Sequence, residues 1–363
     1  MAEEIYEKLR EQLDQYSVGY PKTESGVEIE ILKRLYSEED AQLYLDLSLM
    51  LEDPASVAQR TGRNAEATAK QLEDMAVKGL IFRKHKGDAV LYAAVPFVIG
   101  SFEFQVNRMD ATFAQLTEKY FKEAFHGHMS ENMPPLRTIP VGKSVDTASK
   151  VASYADAREI IKTKDKIALA ECICRKQQGL IEKGCGKPLE ACFSFGSHAE
   201  YYIENGMAKA ISQEEALAIL DQCEEAGLVN QPANMINPGG MCNCCGDCCG
   251  VLRSLRLQPK PAELVLNNYR AVVDAEECTG CEMCLERCQM DALSINDDDI
   301  SVVDEDRCIG CGLCVTTCPV EAIELKLKPE DEWLDPPASG QDLMMQTAEK
   351  RGKNLMPLSM SGK

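Results

Sequence analysis

Residues 278–288 read Cys-Thr-Gly-Cys-Glu-Met-Cys-Leu-Glu-Arg-Cys, and residues 308–319 read Cys-Ile-Gly-Cys-Gly-Leu-Cys-Val-Thr-Thr-Cys-Pro. Both are C-x2-C-x2-C-x3-C, offset by 30 residues. Each leads into an equivalent piece, Asp291 to Ile295 after the first and Val320 to Leu325 after the second, so the chain carries an internal repeat. Three thiolates from one tight loop can take three corners of a cubane, whereas the fourth cysteine, carried away on a short helix, reaches the other cluster. That rule assigns one cluster to Cys278, Cys281, Cys284 and Cys318, and the other to Cys308, Cys311, Cys314 and Cys288. Gly280, Gly310 and Gly312 let backbone amides approach the sulfurs.

On these motifs, residues 264–328 resemble the bacterial two-[4Fe-4S] ferredoxin family. The resemblance implies two [4Fe-4S] clusters, a ferredoxin-like fold and one-electron transfer at low potential. There is one departure. Gln289 stands where the second repeat has a proline after Cys318, so the turn after Cys288 is expected to be less rigid, with all eight ligands kept. Zinc fits these motifs poorly, because a third cysteine three residues on is surplus to two ligand pairs.

The whole chain has 363 residues, 18 cysteines and a net charge of −20. No cysteine precedes Cys172. In a thiol-buffered cytosol, cysteines this dense point to metal ligation rather than disulfides. The opening residues are acidic and helical, unlike a secretory leader, and the longest apolar run, 89–102, is short and carries Pro96 and Gly100. A cytoplasmic protein with no membrane span is therefore expected. Residues 263–330 hold 16 acidic and five basic side chains. Such a surface would steer this module toward a basic face on a redox partner.

Ten cysteines lie outside the repeat. Cys223 shares a helix face with Leu220 and reads as a small buried hydrophobe. The other nine are candidate metal ligands: Cys172, Cys174, Cys185, Cys192, Cys242, Cys244, Cys245, Cys248 and Cys249. If Lys166 to Cys174 is a strand, Cys172 and Cys174 project from one face as a ligand pair. The preferred grouping is Cys172, Cys174, Cys185 and Cys192 for one site and Cys242, Cys244, Cys245 and Cys248 for another, with mixed ligation equally allowed. These would hold one or two further [4Fe-4S] clusters, and zinc competes because no repeat enforces a cubane here. His198, His126 and His128 lack a partner set and read as structural.

Ahead of the cysteines, apolar residues recur at helical spacing to about residue 53. Two capped helices and a hairpin around Gly87 follow, an order that resembles a winged helix-turn-helix over residues 28–98. Seven basic side chains lie between Ala58 and Lys86, but Lys70 and Gln71 alone offer base-reading groups on the second helix. DNA binding is thus the lesser reading, and docking or homo-oligomerisation the favoured one. A further helix is expected from Glu103 to His128.

The expected architecture is an α+β multidomain chain. A helical, winged-helix-like domain spans 1–134, a cysteine-rich α/β module 135–258, a dicluster ferredoxin domain 259–330 and a flexible or partner-draped tail 331–363. This arrangement resembles iron–sulfur electron-transfer proteins of anaerobic bacteria. It implies an electron-transfer subunit or donor of an oxidoreductase, with any flavin or nicotinamide in the partner, since no dinucleotide fingerprint is present. The alternative is a redox-sensing, DNA-binding regulator.

Overall fold

The computed structural model describes residues 2–129, 134–144 and 153–360, and it combines helices and sheets in three packed parts. Helices α1 (Ala2–Gln15), α2 (Val27–Leu35) and α3 (Glu38–Tyr44) open the first part. Their apolar spacing turns Leu9, Leu13, Ile31, Leu32 and Leu43 inward, and all five are fully buried. Next come α4 (Pro54–Thr61) and α5 (Ala65–Val77), started by the Asp53 and Asn64 side chains, which accept hydrogen bonds from Ser56 and Ala67 amides. The antiparallel hairpin β1 (Phe82–Lys86) and β2 (Ala89–Ala93) follows.

The basic residues of this stretch are largely occupied. Arg60 pairs with Glu52 at 2.8 Å, Arg63 with Asp46 at 2.7 Å and Lys78 with Asp40 at 2.8 Å, while Arg83 reaches Glu73 and Glu204. Glu204 belongs to the cysteine-rich part, so the hairpin is docked within the molecule. The helix expected over 103–128 is interrupted. Asp110 starts α6 (Ala111–Tyr120) by accepting the Phe113 amide at 2.8 Å, and a wide turn over 121–125 leads into α7 (His126–His128).

The second part follows α8 (Ala157–Lys162) with a five-stranded antiparallel sheet of order β5-β3-β4-β7-β6. Its strands are β3 (Ile167–Glu171), β4 (Glu190–Phe195), β5 (Ala208–Ile211), β6 (Val229–Pro232) and β7 (Gly240–Cys244). Helices α9 (Ile173–Leu180), α10 (Ser197–Glu204) and α11 (Gln213–Glu225) connect them, the last with Ser212 and Glu215 forming a reciprocal capping box. The strand expected over 166–174 stops at Glu171, because Cys172 already begins α9. Helix α12 (Gly250–Arg256) closes this part and meets the first through Glu118, which receives Arg253 at 2.8 and 2.9 Å and Gln178 at 2.8 Å.

The third part starts with α13 (Pro261–Leu264) and contains two antiparallel pairs. β8 (Tyr269–Val273) pairs with β11 (Ile323–Leu327), and β9 (Leu293–Ile295) with β10 (Ser301–Val303), around the short α14 (Met283–Arg287). Arg287 fastens it to the second part by donating to the Glu224 and Glu225 carbonyls at the end of α11. The tail, expected to be flexible or draped over a partner, instead carries α15 (Gly340–Arg351). Arg351 at its end and Lys353 just beyond pair with Asp14, and the Leu358 amide donates to Gln12 at 3.0 Å. Residues 361–363 of that tail lie outside the described residues. Among the described residues no helix is long and apolar enough to cross a membrane.

Candidate metal centres

The two repeats fold into two cavities, each lined by a crossed set of cysteines. One is lined by Cys288, Cys308, Cys311 and Cys314 together with Met290, Ile309 and Leu313. The other is lined by Cys278, Cys281, Cys284 and Cys318 together with Val320 and Ile323. In each case three of the lining cysteines come from one repeat and the fourth from the other. The repeat extends to the hydrogen bonds: the Ala292 amide donates to Cys288 Sγ at 3.3 Å and the Ala322 amide to Cys318 Sγ at 3.2 Å. The Ser301 amide adds a donor to Cys278 at 3.4 Å. Gly312 has φ +76°, and a Cβ there would collide with Ser144. Only glycine lets the loop turn this tightly beneath the neighbouring chain.

The cavities differ in depth. Burial pushes the Cys311 thiol up to about 12 and raises Cys288 and Cys314, whereas Cys281 is exposed. Cys288, Cys308 and Cys311 lie against the main core, which also takes in Cys174, Cys242, Cys244 and Cys249. The cavity around Cys288 therefore faces the cysteine-rich part, and the one around Cys281 faces outward.

In the cysteine-rich part the nine candidates are regrouped. Six form a closed ring in which every thiol neighbours two others, in the order Cys172, Cys174, Cys249, Cys244, Cys242, Cys192 and back to Cys172. Cys172 and Cys174 sit at the start of α9, Cys192 on β4 directly opposite Cys242 on β7, and Cys249 at the start of α12. Contact with neighbouring thiols lowers the pKa of Cys172, Cys242 and Cys249 and raises that of Cys174, Cys192 and Cys244.

Cys185, Cys245 and Cys248 form a separate group with their sulfurs all within 4.8 Å of one another. The two quartets preferred from the sequence are thus corrected. Cys185 leaves the first for a loop after α9, and Cys249 replaces Cys245 and Cys248 in the second. The reason is strand alternation: Cys242 and Cys244 share a face of β7, and Cys245, the next residue, turns to the other side. Cys223 is fully buried, as expected of a small hydrophobe, and burial pushes its thiol up to about 12.

Buried polar groups around the ring test what it suits. Arg175, only 5% exposed, donates Nη1 to the Asn243 carbonyl at 3.0 Å, while its Nε and Nη2 have no partner among the described residues. Burial opposes its charge, but the thiols Cys172, Cys192, Cys244 and Cys245 outweigh this and raise its pKa. Gln231, fully buried, has an equally unpartnered Nε2, with its Oε1 3.9 Å from Cys249 Sγ. Unused N–H donors among six thiols fit a group with further anionic acceptors, such as the sulfides of an iron–sulfur cluster. Glu103 lies close by. Burial pushes its carboxyl up to about 8, with Cys242 and Cys249 adding to the rise, and the Gly100 amide donates to it at 2.7 Å.

Arg175, Gln231 and Glu103 were not singled out from the sequence. The Arg that follows Cys174 directly was the one readable signal, since arginine is rarely buried without an anion. The histidines are structural: His198 stacks on Phe82 with ring centroids 4.7 Å apart, and His126 meets Ser254 Oγ at 2.7 Å.

No curated protein and no solved structure matches the chain. Residues 271–325, which contain both cysteine-lined cavities, match the family model of the 4Fe-4S dicluster domain, and this part of the chain is similar to that family.

Proposed function

We propose that the protein carries single electrons as a subunit or dedicated donor of an oxidoreductase. The observation that supports this most directly is the pair of crossed cysteine quartets, each around its own cavity. Iron–sulfur clusters held there supply one-electron acceptance and release. The chain provides the ligands, the amides of Ala292, Ala322 and Ser301 that favour the more negative state of nearby sulfur, and an apolar wall of Met290, Leu313 and Ile323 that keeps water out.

The six-thiol ring offers two more ligands than a cubane needs, and in this reading it holds a further iron–sulfur group beside the inner ferredoxin cavity. Electrons leave or enter at the outer cavity, where Cys281 is exposed and Met283 and Val320 present 47% and 39% of their surface. Acidic Glu276, Glu277, Glu282 and Glu321 lie near these residues in sequence and match a partner with a basic rim, which would contribute any flavin or nicotinamide. The docked hairpin and paired arginines favour an internal packing role for the helix–hairpin segment over DNA contact.

Anaerobic iron quantification with paramagnetic resonance tests the reading. About eight irons correspond to the ferredoxin part alone and about twelve or more add the ring. A folded, colourless protein after iron-replete anaerobic expression would overturn it. A redox-dependent, sequence-specific gel shift would favour the regulator instead.

A further inference from the structure

We infer that Cys185, Cys245 and Cys248 hold a single thiophilic divalent ion of the zinc class, distinct in kind from the iron–sulfur sites; this deepens the reading above and rests on it only for the identity of the other centres. Spacing carries the argument. Around one tetrahedral zinc, with Zn–S near 2.3 Å, thiolates stand about 3.8 Å apart. The thiolates of a cubane are bound to separate irons and stand farther from one another. Cys185 Sγ and Cys245 Sγ are 3.6 Å apart, and all three sulfurs lie within 4.8 Å. No other trio of candidate ligands among the described residues closes up in this way, including the two quartets that line the ferredoxin cavities.

The sequence supports the same chemistry. Cys245 and Cys248 are a C-x2-C chelate on one tight turn, and Cys185 comes from a separate, partly exposed loop, the pattern of a pair completed from elsewhere in the chain. The three lie in their own small apolar cluster with Ala191, Cys223 and Leu228, separate from the core that contains Cys244 and Cys249.

The ion would act as a clamp. It would fix the turn 245–248 to the loop at Cys185, and so hold the flanking ring ligands Cys244 and Cys249 in place. Three thiolates leave one coordination position for solvent or an added ligand.

The test uses the full chain, purified anaerobically after expression with iron and zinc both supplied. About one zinc per chain is expected beside the irons. Cys185→Ser should lose that zinc while keeping its irons, and the retained iron reports that the variant is folded. Exchange of zinc for cobalt should give the thiolate charge-transfer and tetrahedral bands in the parent and not in Cys185→Ser. The inference is overturned if the iron-loaded parent contains no zinc, or if Cys185→Ser loses about four irons with its zinc content unchanged. Parent protein with about one zinc but no iron would sink the electron-transfer reading and leave this inference standing.

Discussion

The Gln289 side chain accepts a hydrogen bond from the Gly246 amide at 2.7 Å, tying the turn after Cys288 to the turn between Cys245 and Cys248. A Cβ on Gly246 would press against the Gln289 carbonyl at 2.6 Å, so the two turns are as close as backbones allow. The residue that departs from the repeat, and reads in sequence as a loss of rigidity, thus joins Arg287 in tying the ferredoxin part to the cysteine-rich part. Gln289→Ala leaves the buried Gly246 amide without its acceptor, a cost of about 1–3 kcal/mol. A melting temperature lower by a few degrees, with iron content unchanged, is expected in thermal scans; an unchanged melting temperature would deny the contact its role.

The crossed lining of the two cavities makes a sharp mutational contrast. Cys318→Ser should disturb the cavity around Cys281 although Cys318 belongs to the second motif, and Cys288→Ser should disturb the cavity around Cys311. Each variant is expected to lose about four irons and a different half of the paramagnetic spectrum. Loss from the cavity of the residue's own motif would contradict the crossed arrangement.

Arg175 places a guanidinium among the thiols of the ring. Arg175→Gln removes that charge, so adding an electron nearby becomes harder and the midpoint potential falls, by on the order of 50 mV given about 59 mV per tenfold change in a one-electron equilibrium. Potentiometric titration followed by paramagnetic resonance reads the shift. The ferredoxin signals should stay where they are, and a shift in them alone would place Arg175's influence elsewhere.

Glu118 joins the first and second parts through Arg253 and Gln178. Burial opposes its ionisation, but the hydrogen bonds from Arg253 and Gln178 prevail and hold its carboxyl down to about 2. An unfolded glutamate titrates near 4.3, roughly, so the stabilisation is complete above that pH and is lost as the pH falls toward about 2. Glu118→Gln leaves the half-buried Arg253 without its charged partner and should cost about 1–3 kcal/mol at neutral pH, less than a fully buried pair because solvent screens it in part. Urea titrations at pH 7 and near pH 3 should show the gap between parent and variant narrowing in acid; a gap that widens would reverse the assignment.

How much of this was legible in the sequence depends on how local the signal was. The grouping of cysteines around the two cavities follows from spacing within two short loops, and the Ser212 capping box from four consecutive residues. The ring does not, because its six thiols come from α9, β4, β7 and the start of α12, and register between distant strands decides which sulfurs meet. Cys172 and Cys174 do become neighbours, but at a helix start rather than on a strand face. The break before α6 was missed because apolar periodicity runs on past Asp110, whose side chain prefers to cap an amide. The tail reads as polar and unpartnered until Asp14, more than three hundred residues earlier, receives Arg351 and Lys353.

That last pairing sets an order on how the molecule comes into being. Translation delivers Cys318 before Arg351, so all 18 cysteines have left the ribosome before the strap that fastens α1 is available. Tyr6 and Gln12 already fix α1 to the carbonyls of Tyr36, Tyr44 and Leu47, so the pairings of Asp14 with Arg351 and Lys353 close last, after every cysteine has emerged.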